Sequence, residues 1–236
     1  VIEAHVVTHQ NRSLYDAEWD SYLRWRHEIY VHEKKWRPAS PEGRELDQFD
    51  TPDATYILGF EDGELVTAAR LIPTDKPHLV SEIFPHMCEI KGLPNRPDWA
   101  EWTRTFVVPD RRTAGRRGIL TQICCAVMEF CLEEGLQYAG GIQETYFLPQ
   151  WAMLNWRVAP LGLPQEVSGE SCIVAYLECN ESALAQVRRV LGIRHSLLIR
   201  RGEQSRFVDH TSVSPARFLR RRPYAGIQDT GATYGK

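Results

Sequence analysis

Apolar and polar positions alternate over residues 2–7, where Ile2, Ala4 and Val6 are interleaved with Glu3 and His5, and this period of two predicts a strand. The period then changes. Tyr15, Trp19, Tyr22, Arg26, Ile29 and Tyr30 fall at helical spacing and predict a long amphipathic helix over residues 14–35, with Asn11 or Ser13 as its N-cap. Residues 37–52 are rich in proline, glycine and acids and read as a long loop or lid. Two strands follow, at 55–60 and 65–72, joined by Glu61-Asp62-Gly63-Glu64, a turn with glycine available for positive φ. The stretch 73–97 is mixed, with one short helix near 79–84. Alternation returns over 99–108 and stops at Pro109. A basic loop at 110–118 leads into an apolar helix over 119–134, which Gly135 ends. A strand at 137–142, a helical stretch at 144–156, a strand at 171–178 and a helix at 182–191 complete the pattern.

That order mixes hairpins with one β-α-β crossover, which predicts an α/β domain with a mixed central sheet flanked by helices. It suits a single-domain acetyltransferase-like (GNAT-like) fold, in which a central parallel pair splays open to admit a thioester. The main domain is expected over 1–201. Residues 202–236 form a partly flexible C-terminal extension carrying the basic run from Arg217 to Arg222.

Composition narrows the function. The chain has 236 residues, 43% hydrophobic and 25% charged, enough apolar mass for one large core, with two small domains as the alternative. A net charge of -3 gives no general basic field for nucleic acid. No apolar run approaches the roughly 18 residues of a membrane span, and no secretory signal opens the chain, although a start at Val1 is compatible with trimming. Of six cysteines, Cys124, Cys125 and Cys131 share one apolar helical pattern, and no Cys-x-x-Cys pair suggests a metal. Reduced core thiols in a cytoplasmic protein are expected.

Charged residues inside apolar patterns carry the candidate chemistry. Arg26 has Tyr22 and Tyr30 one turn away on either side, so it is either an aromatic-stacked structural cation or a fixed fork for a substrate carboxylate. Arg70 shares a strand face with Val66, Ala68 and Ile72 and needs an ion partner or a ligand. Glu45, Asp47, Asp50 and Asp53 form an acidic run, a solvated face taken alone, for which Arg70 and Arg104 are plausible partners. Strict alternation puts Glu101, Thr103 and Thr105 on one face of the next strand and Trp102, Arg104 and Phe106 on the other.

Taken in order, Arg26-x3-Tyr30-x5-Trp36, Asp47-x-x-Asp50, Arg70-Leu71-Ile72-Pro73-Thr74 and Glu101-x-Thr103-Arg104-x-Phe106 resemble the acyl-homoserine lactone synthases of quorum-sensing bacteria. The resemblance spans about residues 14–177. It departs from the family at Thr103, where serine is usual, and at Tyr30, where phenylalanine is common. It implies two substrates, S-adenosylmethionine and an acyl thioester on coenzyme A or acyl carrier protein. It implies no metal, no nicotinamide and no other cofactor. The α-amine attacks the thioester, and the methionyl carboxylate then closes the lactone and expels 5′-methylthioadenosine. On this resemblance Glu101 is the candidate base, with Thr103 and Arg104 beside it. Backbone N–H groups near 103–106 are oxyanion donors, and Arg26, Tyr30, Trp36, Asp47, Asp50 and Arg70 form the S-adenosylmethionine pocket. The charged members either touch ligand or brace the pocket.

On the acyl side, Arg112, Gly115 and Arg116, ahead of a helix, partly match the turn that holds the coenzyme A pyrophosphate in acetyltransferases; Arg117 stands where a small residue is usual. The alternatives are an exposed basic loop or a contact for acyl carrier protein. Glu144-Thr145-Tyr146-Phe147-Leu148-Pro149, with Pro160-Leu161-Gly162-Leu163-Pro164 further on, resembles the branch of the family that uses acyl-coenzyme A, with Tyr146 and Phe147 where that branch commonly has two tryptophans. Phe106, Thr145, Tyr146 and Phe147 are therefore expected to line the acyl pocket and to favour compact or flat acyl groups; core packing is the alternative. An N-acyltransferase of the same fold acting on another amine, or a non-catalytic ligand-binding domain, are the competing readings.

Overall fold

The chain runs β1 (Glu3–Val7), α1 (Asp16–His27), β2 (Thr55–Glu61), β3 (Glu64–Pro73), α2 (Leu79–Glu82), β4 (Trp99–Val107), α3 (Ile119–Glu133), β5 (Tyr138–Glu144), α4 (Leu148–Met153), β6 (Val158–Pro160), β7 (Gln165–Val167), β8 (Glu170–Glu178), α5 (Glu181–Leu191) and β9 (Leu198–Arg200). These elements come from a computed structural model that describes residues 1–112 and 118–208. The described strands form one mixed sheet, ordered β6-β8-β5-β4-β3-β2-β1-β9, with β7 on β8. The mixed α/β expectation holds. The strands β6, β7 and β9 were not expected, because three residues are too few to show a period.

Local chemistry explains the elements that hold the sheet. Asp62 and Gly63 both take positive φ, the geometry that matches a two-residue turn to the twist of β2 and β3. Helix α5 is capped by the Asn180 side chain, which accepts from the Ala183 N–H, and ends at Gly192 in the left-handed region. Helix α3 is buried on nearly every side and packs on β3 and α5. Its one deeply buried acid, Glu129, binds Arg188, Ser196 and the Leu197 N–H, tying α3 to α5 and to the approach to β9. All six cysteines are free and buried. The first part of the C-terminal extension packs on this core: Phe207 meets Phe130 edge to face, and its N–H donates to Glu134. No helix among the described residues is long and apolar enough to cross a membrane.

Three departures from the sequence pattern shape the site. The helix expected over 14–35 has three windings: a 3₁₀ turn at Arg12–Tyr15, then α1, then a π turn at Glu28–Glu33 that the Lys34 N–H closes onto the Ile29 carbonyl at 2.8 Å. The stretch expected to be helical over 144–156 is only a 3₁₀ turn, Thr145–Phe147, followed by α4. In β4 the alternation breaks. Arg70 pairs with Thr103 but Ala68 pairs with Phe106, so β4 carries one extra residue, and Arg104 sits at φ 52°. This bulge turns Arg104 and Phe106 towards the partners of Thr103, which corrects the two-face expectation.

The bulge lies where the sheet opens. Parallel strands β4 and β5 pair only at Trp99–Tyr138, Ala100–Ala139 and Glu101–Gly140. Beyond Gly140, β5 stays paired to β8 while β4 leaves it. Glycine is required at 140, because a Cβ there would collide with the Ala175 carbonyl and the Tyr176 backbone.

Candidate active site

Six charged side chains from four segments meet on one face of β3 and β4. Arg26 of α1 is fully buried and donates Nε–H to Glu45 (2.6 Å) and both terminal nitrogens to Asp50 (2.7 and 2.9 Å). Arg70 of β3, equally buried, donates to Asp47 (2.7 Å) and Asp50 (2.9 Å). Arg104, on the bulge, reaches Glu45 (3.1 Å) and Asp47. Three guanidiniums thus face three carboxylates, and Arg37, more exposed, adds a fourth 3.5 Å from Glu45. Burial pushes Asp50 up, but the guanidiniums of Arg26 and Arg70 overcome it and hold its carboxyl well below the usual range. Asp47 is lowered likewise, burial being overcome by Arg70 and Arg104. Tyr22 and Tyr56 close the cluster with hydroxyl contacts to Arg26 and Asp50, and burial pushes the Tyr22 hydroxyl up to about 12. Glu45, part of the acidic run but not assigned to the site from sequence, turns out to join Arg26 to Arg104. The length of the loop hid that.

A column of rings and cations runs from this cluster to the open end of β5. The Arg104 guanidinium lies 4.9 Å from the Tyr30 ring, Trp36 stacks on Tyr30 at 5.8 Å, and Lys34 Nζ lies 5.1 Å from Trp36. Lys34 then bonds Glu144 (2.9 Å) and the Tyr146 hydroxyl (3.2 Å). The Tyr30 hydroxyl donates to the Thr105 carbonyl, fixing the π turn to the bulge. The ring faces expected to meet a sulfonium therefore already carry protein cations. Trp36 is 38% exposed and Tyr146 55%, so both lie at a rim. Phe147 leans on Tyr146 at 4.7 Å, and Phe106 is buried against Tyr22. Thr145 is half-buried at the start of the 3₁₀ turn.

Glu101 stands apart from the ion cluster. It is fully buried at the last paired position of β4 before the strands part. Its two oxygens accept the N–H groups of Leu79 (2.9 Å) and Val80 (2.7 Å) at the start of α2. Burial raises its carboxyl above the usual value, and the two N–H groups and Arg70 only partly oppose this. Two residues on, Thr103 Oγ1 accepts weakly from Arg70 Nε (3.3 Å).

On the carrier side, Arg112 is engaged: Nε donates to the Val107 carbonyl and a terminal nitrogen to Glu33 (2.7 Å). Gly115 and Arg116 lie outside the described residues. A cleft of about 470 Å³ between α1 and the β2–β3 hairpin, lined by Glu18, Trp25, Phe60 and Arg111, shares no residue with this site.

The central parallel pair thus opens beside a buried carboxylate, and Escherichia coli ElaA shares this fold (TM-score 0.54, 18% identity, 74% of this chain and 99% of that one). The family follows from closer comparisons. The model for autoinducer synthases matches residues 10–187. The isovaleryl-homoserine lactone synthase of Bradyrhizobium diazoefficiens is 36% identical over 190 residues, 80% of this chain and 85% of the relative. The structure of BjaI, a CoA-dependent acyl-homoserine lactone synthase with SAM and isopentyl-CoA, superposes with a TM-score of 0.82 at 35% identity, covering 88% of this chain and 97% of that one. MesI, another CoA-dependent synthase, gives 0.76 at 33%, covering 83% and 98%. The chain belongs to the autoinducer synthase family and is an acyl-homoserine-lactone synthase.

Proposed function

We propose that this synthase joins S-adenosylmethionine to a short branched or aryl acyl group carried by coenzyme A, forms the N-acyl-L-homoserine lactone and releases 5′-methylthioadenosine. The observation that carries this reading is a buried carboxylate, Glu101, at the point where β4 and β5 part beside a paired ion cluster. Both substrates then have a place. The thioester lies between the parting strands, and S-adenosylmethionine lies against the cluster with its amine towards Glu101.

Glu101 takes the first proton from the ammonium. Its raised carboxyl affinity suits it to that work near neutral pH. Backbone N–H groups around Thr103 to Phe106 face the oxyanion, where the bulge frees β4 from regular pairing. Arg26, Arg70, Asp47 and Asp50 shape the pocket wall, while Thr103 and Arg104 border the opening. Tyr30 and Trp36 form the wall for the adenine and sulfonium end, with Lys34 yielding its place on Trp36 to the substrate cation. Phe106, Thr145, Tyr146 and Phe147 bound the acyl end, and Arg112, Gly115 and Arg116 meet the carrier phosphates once Arg112 leaves Glu33. No further cofactor is called for, and a cytoplasmic site of action suits both substrates. Residues 1–201 constitute the synthase domain and 202–236 an extension that docks on it at its start. The BjaI complex with isopentyl-CoA supports coenzyme A over acyl carrier protein as donor.

The test is incubation of the full chain with S-adenosylmethionine and a panel of acyl-coenzyme A and acyl carrier protein thioesters. Equal amounts of methylthioadenosine and N-acyl product from a branched or aryl acyl-coenzyme A are expected. Amide without methylthioadenosine would identify a plain N-acyltransferase, and turnover with acyl carrier protein alone would overturn the donor.

A further inference from the structure

Among the described residues, two buried side-chain polar atoms have no hydrogen-bond partner: His78 Nε2 and Tyr176 Oη. Buried polar atoms are nearly always paired, so two orphans in one neighbourhood need a reason. Both border Glu101. His78 immediately precedes the two N–H groups that hold the Glu101 carboxylate. Tyr176 of β8 pairs in register with Gly140, which pairs with Glu101, so the three form one row across the sheet. The Tyr176 ring packs against Trp99 at 5.3 Å and in a small apolar cluster with Val80, Met87 and Cys88.

The tautomer of the neutral His78 ring follows from its other nitrogen. Nδ1 lies 2.8 Å from the Lys76 carbonyl oxygen, which can only accept, so Nδ1 carries the hydrogen. In the neutral ring Nε2 is then a bare acceptor. Ionised Glu101 is also acceptor-only and gives Nε2 nothing to bind. Once Glu101 has taken a proton it has an O–H to donate, and Nε2 is a buried acceptor that lacks a donor. Nε2 is thus complementary to protonated Glu101, the state reached when the substrate amine gives up its proton.

We propose that His78 is a positioning residue for the proton that Glu101 removes: Nε2 accepts the hydrogen bond of the protonated carboxyl through one water, while the Tyr176 hydroxyl donates to the other carboxyl oxygen. The inference rests on Glu101 as base. The ammonium N–H bond breaks and an O–H bond forms on Glu101. The freed nitrogen pair forms the C–N bond, the C–S bond breaks with its pair on sulfur, and the thiolate takes the second nitrogen proton. The proton on Glu101 then returns to solvent, so one proton is released per amide formed.

His78→Asn tests this, because the shorter amide can still donate to the Lys76 carbonyl while Nε2 is gone. Expected are a fall in kcat for methylthioadenosine release of about tenfold or more, KM values within about twofold for both substrates, and an unchanged melting temperature. The acid limb of the kcat profile moves to lower pH, because loss of the acceptor disfavours protonated Glu101. The other groups facing Glu101 are Arg70 from β3 and Tyr176 from β8, and both stay in this variant. His78→Gln, which restores an acceptor near Nε2, recovers part of the rate, and Tyr176→Phe lowers kcat about threefold. A kcat and pH profile unmoved in His78→Asn and Tyr176→Phe, or a rate loss matched by lost stability in His78→Asn and His78→Gln alike, would overturn the inference. Glu101→Gln run in parallel separates the two readings. If it keeps turnover, the base assignment falls; if it alone loses turnover, only the role of His78 and Tyr176 falls.

Discussion

The ion cluster and the Glu101 pocket share one face of β3 and β4 and treat charge in opposite ways. In the cluster every charge is matched. Arg26 and Arg70 are fully buried yet tied to Asp50 and, respectively, to Glu45 and Asp47 by bonds of 2.6–2.9 Å, and burial is outweighed so that Asp47 and Asp50 stay ionised. At Glu101 no guanidinium among the described residues bonds the carboxylate; two backbone N–H groups do, burial wins, and the proton is held more tightly than usual. Paired charge makes a rigid wall. Under-paired charge makes a group whose protonation can change during a reaction.

Breaking the wall should have the largest effect on the fold. Asp50→Asn removes a partner from both Arg26 and Arg70, and a loss of about 3–5 kcal/mol is expected from leaving buried cations under-paired, read from the denaturant midpoint. A loss under about 1 kcal/mol, the range of an exposed pair, would mean that the cluster is not a scaffold.

The two regions should also respond to pH with opposite sign. Asp47 and Asp50 have folded-state pKa values below the unfolded value of about 4. Their contribution is complete above that value and lost as pH falls through the folded one. Glu101 has a raised folded-state pKa, so its contribution is present below the unfolded value and lost as pH rises through the raised one. Melting temperatures followed through the acid range should fall less steeply for Asp50→Asn than for the unsubstituted chain, and Glu101→Gln should remove the loss on the alkaline side. Parallel curves for all three proteins would contradict the assignment.

The smallest effect belongs to the rim. Tyr146→Phe deletes a largely exposed hydroxyl bonded to Lys34 and Glu144. Stability should change by under about 0.5 kcal/mol, while the ranking of acyl thioesters by kcat/KM shifts by a few-fold as Lys34 is loosened. An unchanged ranking would take Tyr146 out of acyl selection.

Much of this was legible in the chain. The hairpin at Asp62-Gly63 and the stop at Gly135 write their geometry in single residues. The arginines inside apolar patterns announced that they needed an ion partner or a ligand. The bulge at Arg104 was not legible, because nothing in Thr103-Arg104-Thr105 distinguishes a left-handed arginine from an extended one, and its energy comes from Glu45 and Asp47 far along the chain. The π turn at Glu28–Glu33 is similarly a tertiary outcome, pinned by Tyr30 on the Thr105 carbonyl. His78 and Tyr176 carry no motif at all. They stand out only once three-dimensional pairing shows what they lack.

The contrast between wall and pocket comes down to one group. The most direct measurement is the rate of methylthioadenosine release by Glu101→Gln, with S-adenosylmethionine and a branched acyl-coenzyme A, followed from acid to alkaline pH beside a thermal melt of the same protein. The account predicts a fall of about 10²-fold or more near neutral pH with the fold intact. Near-full turnover across that range would contradict it.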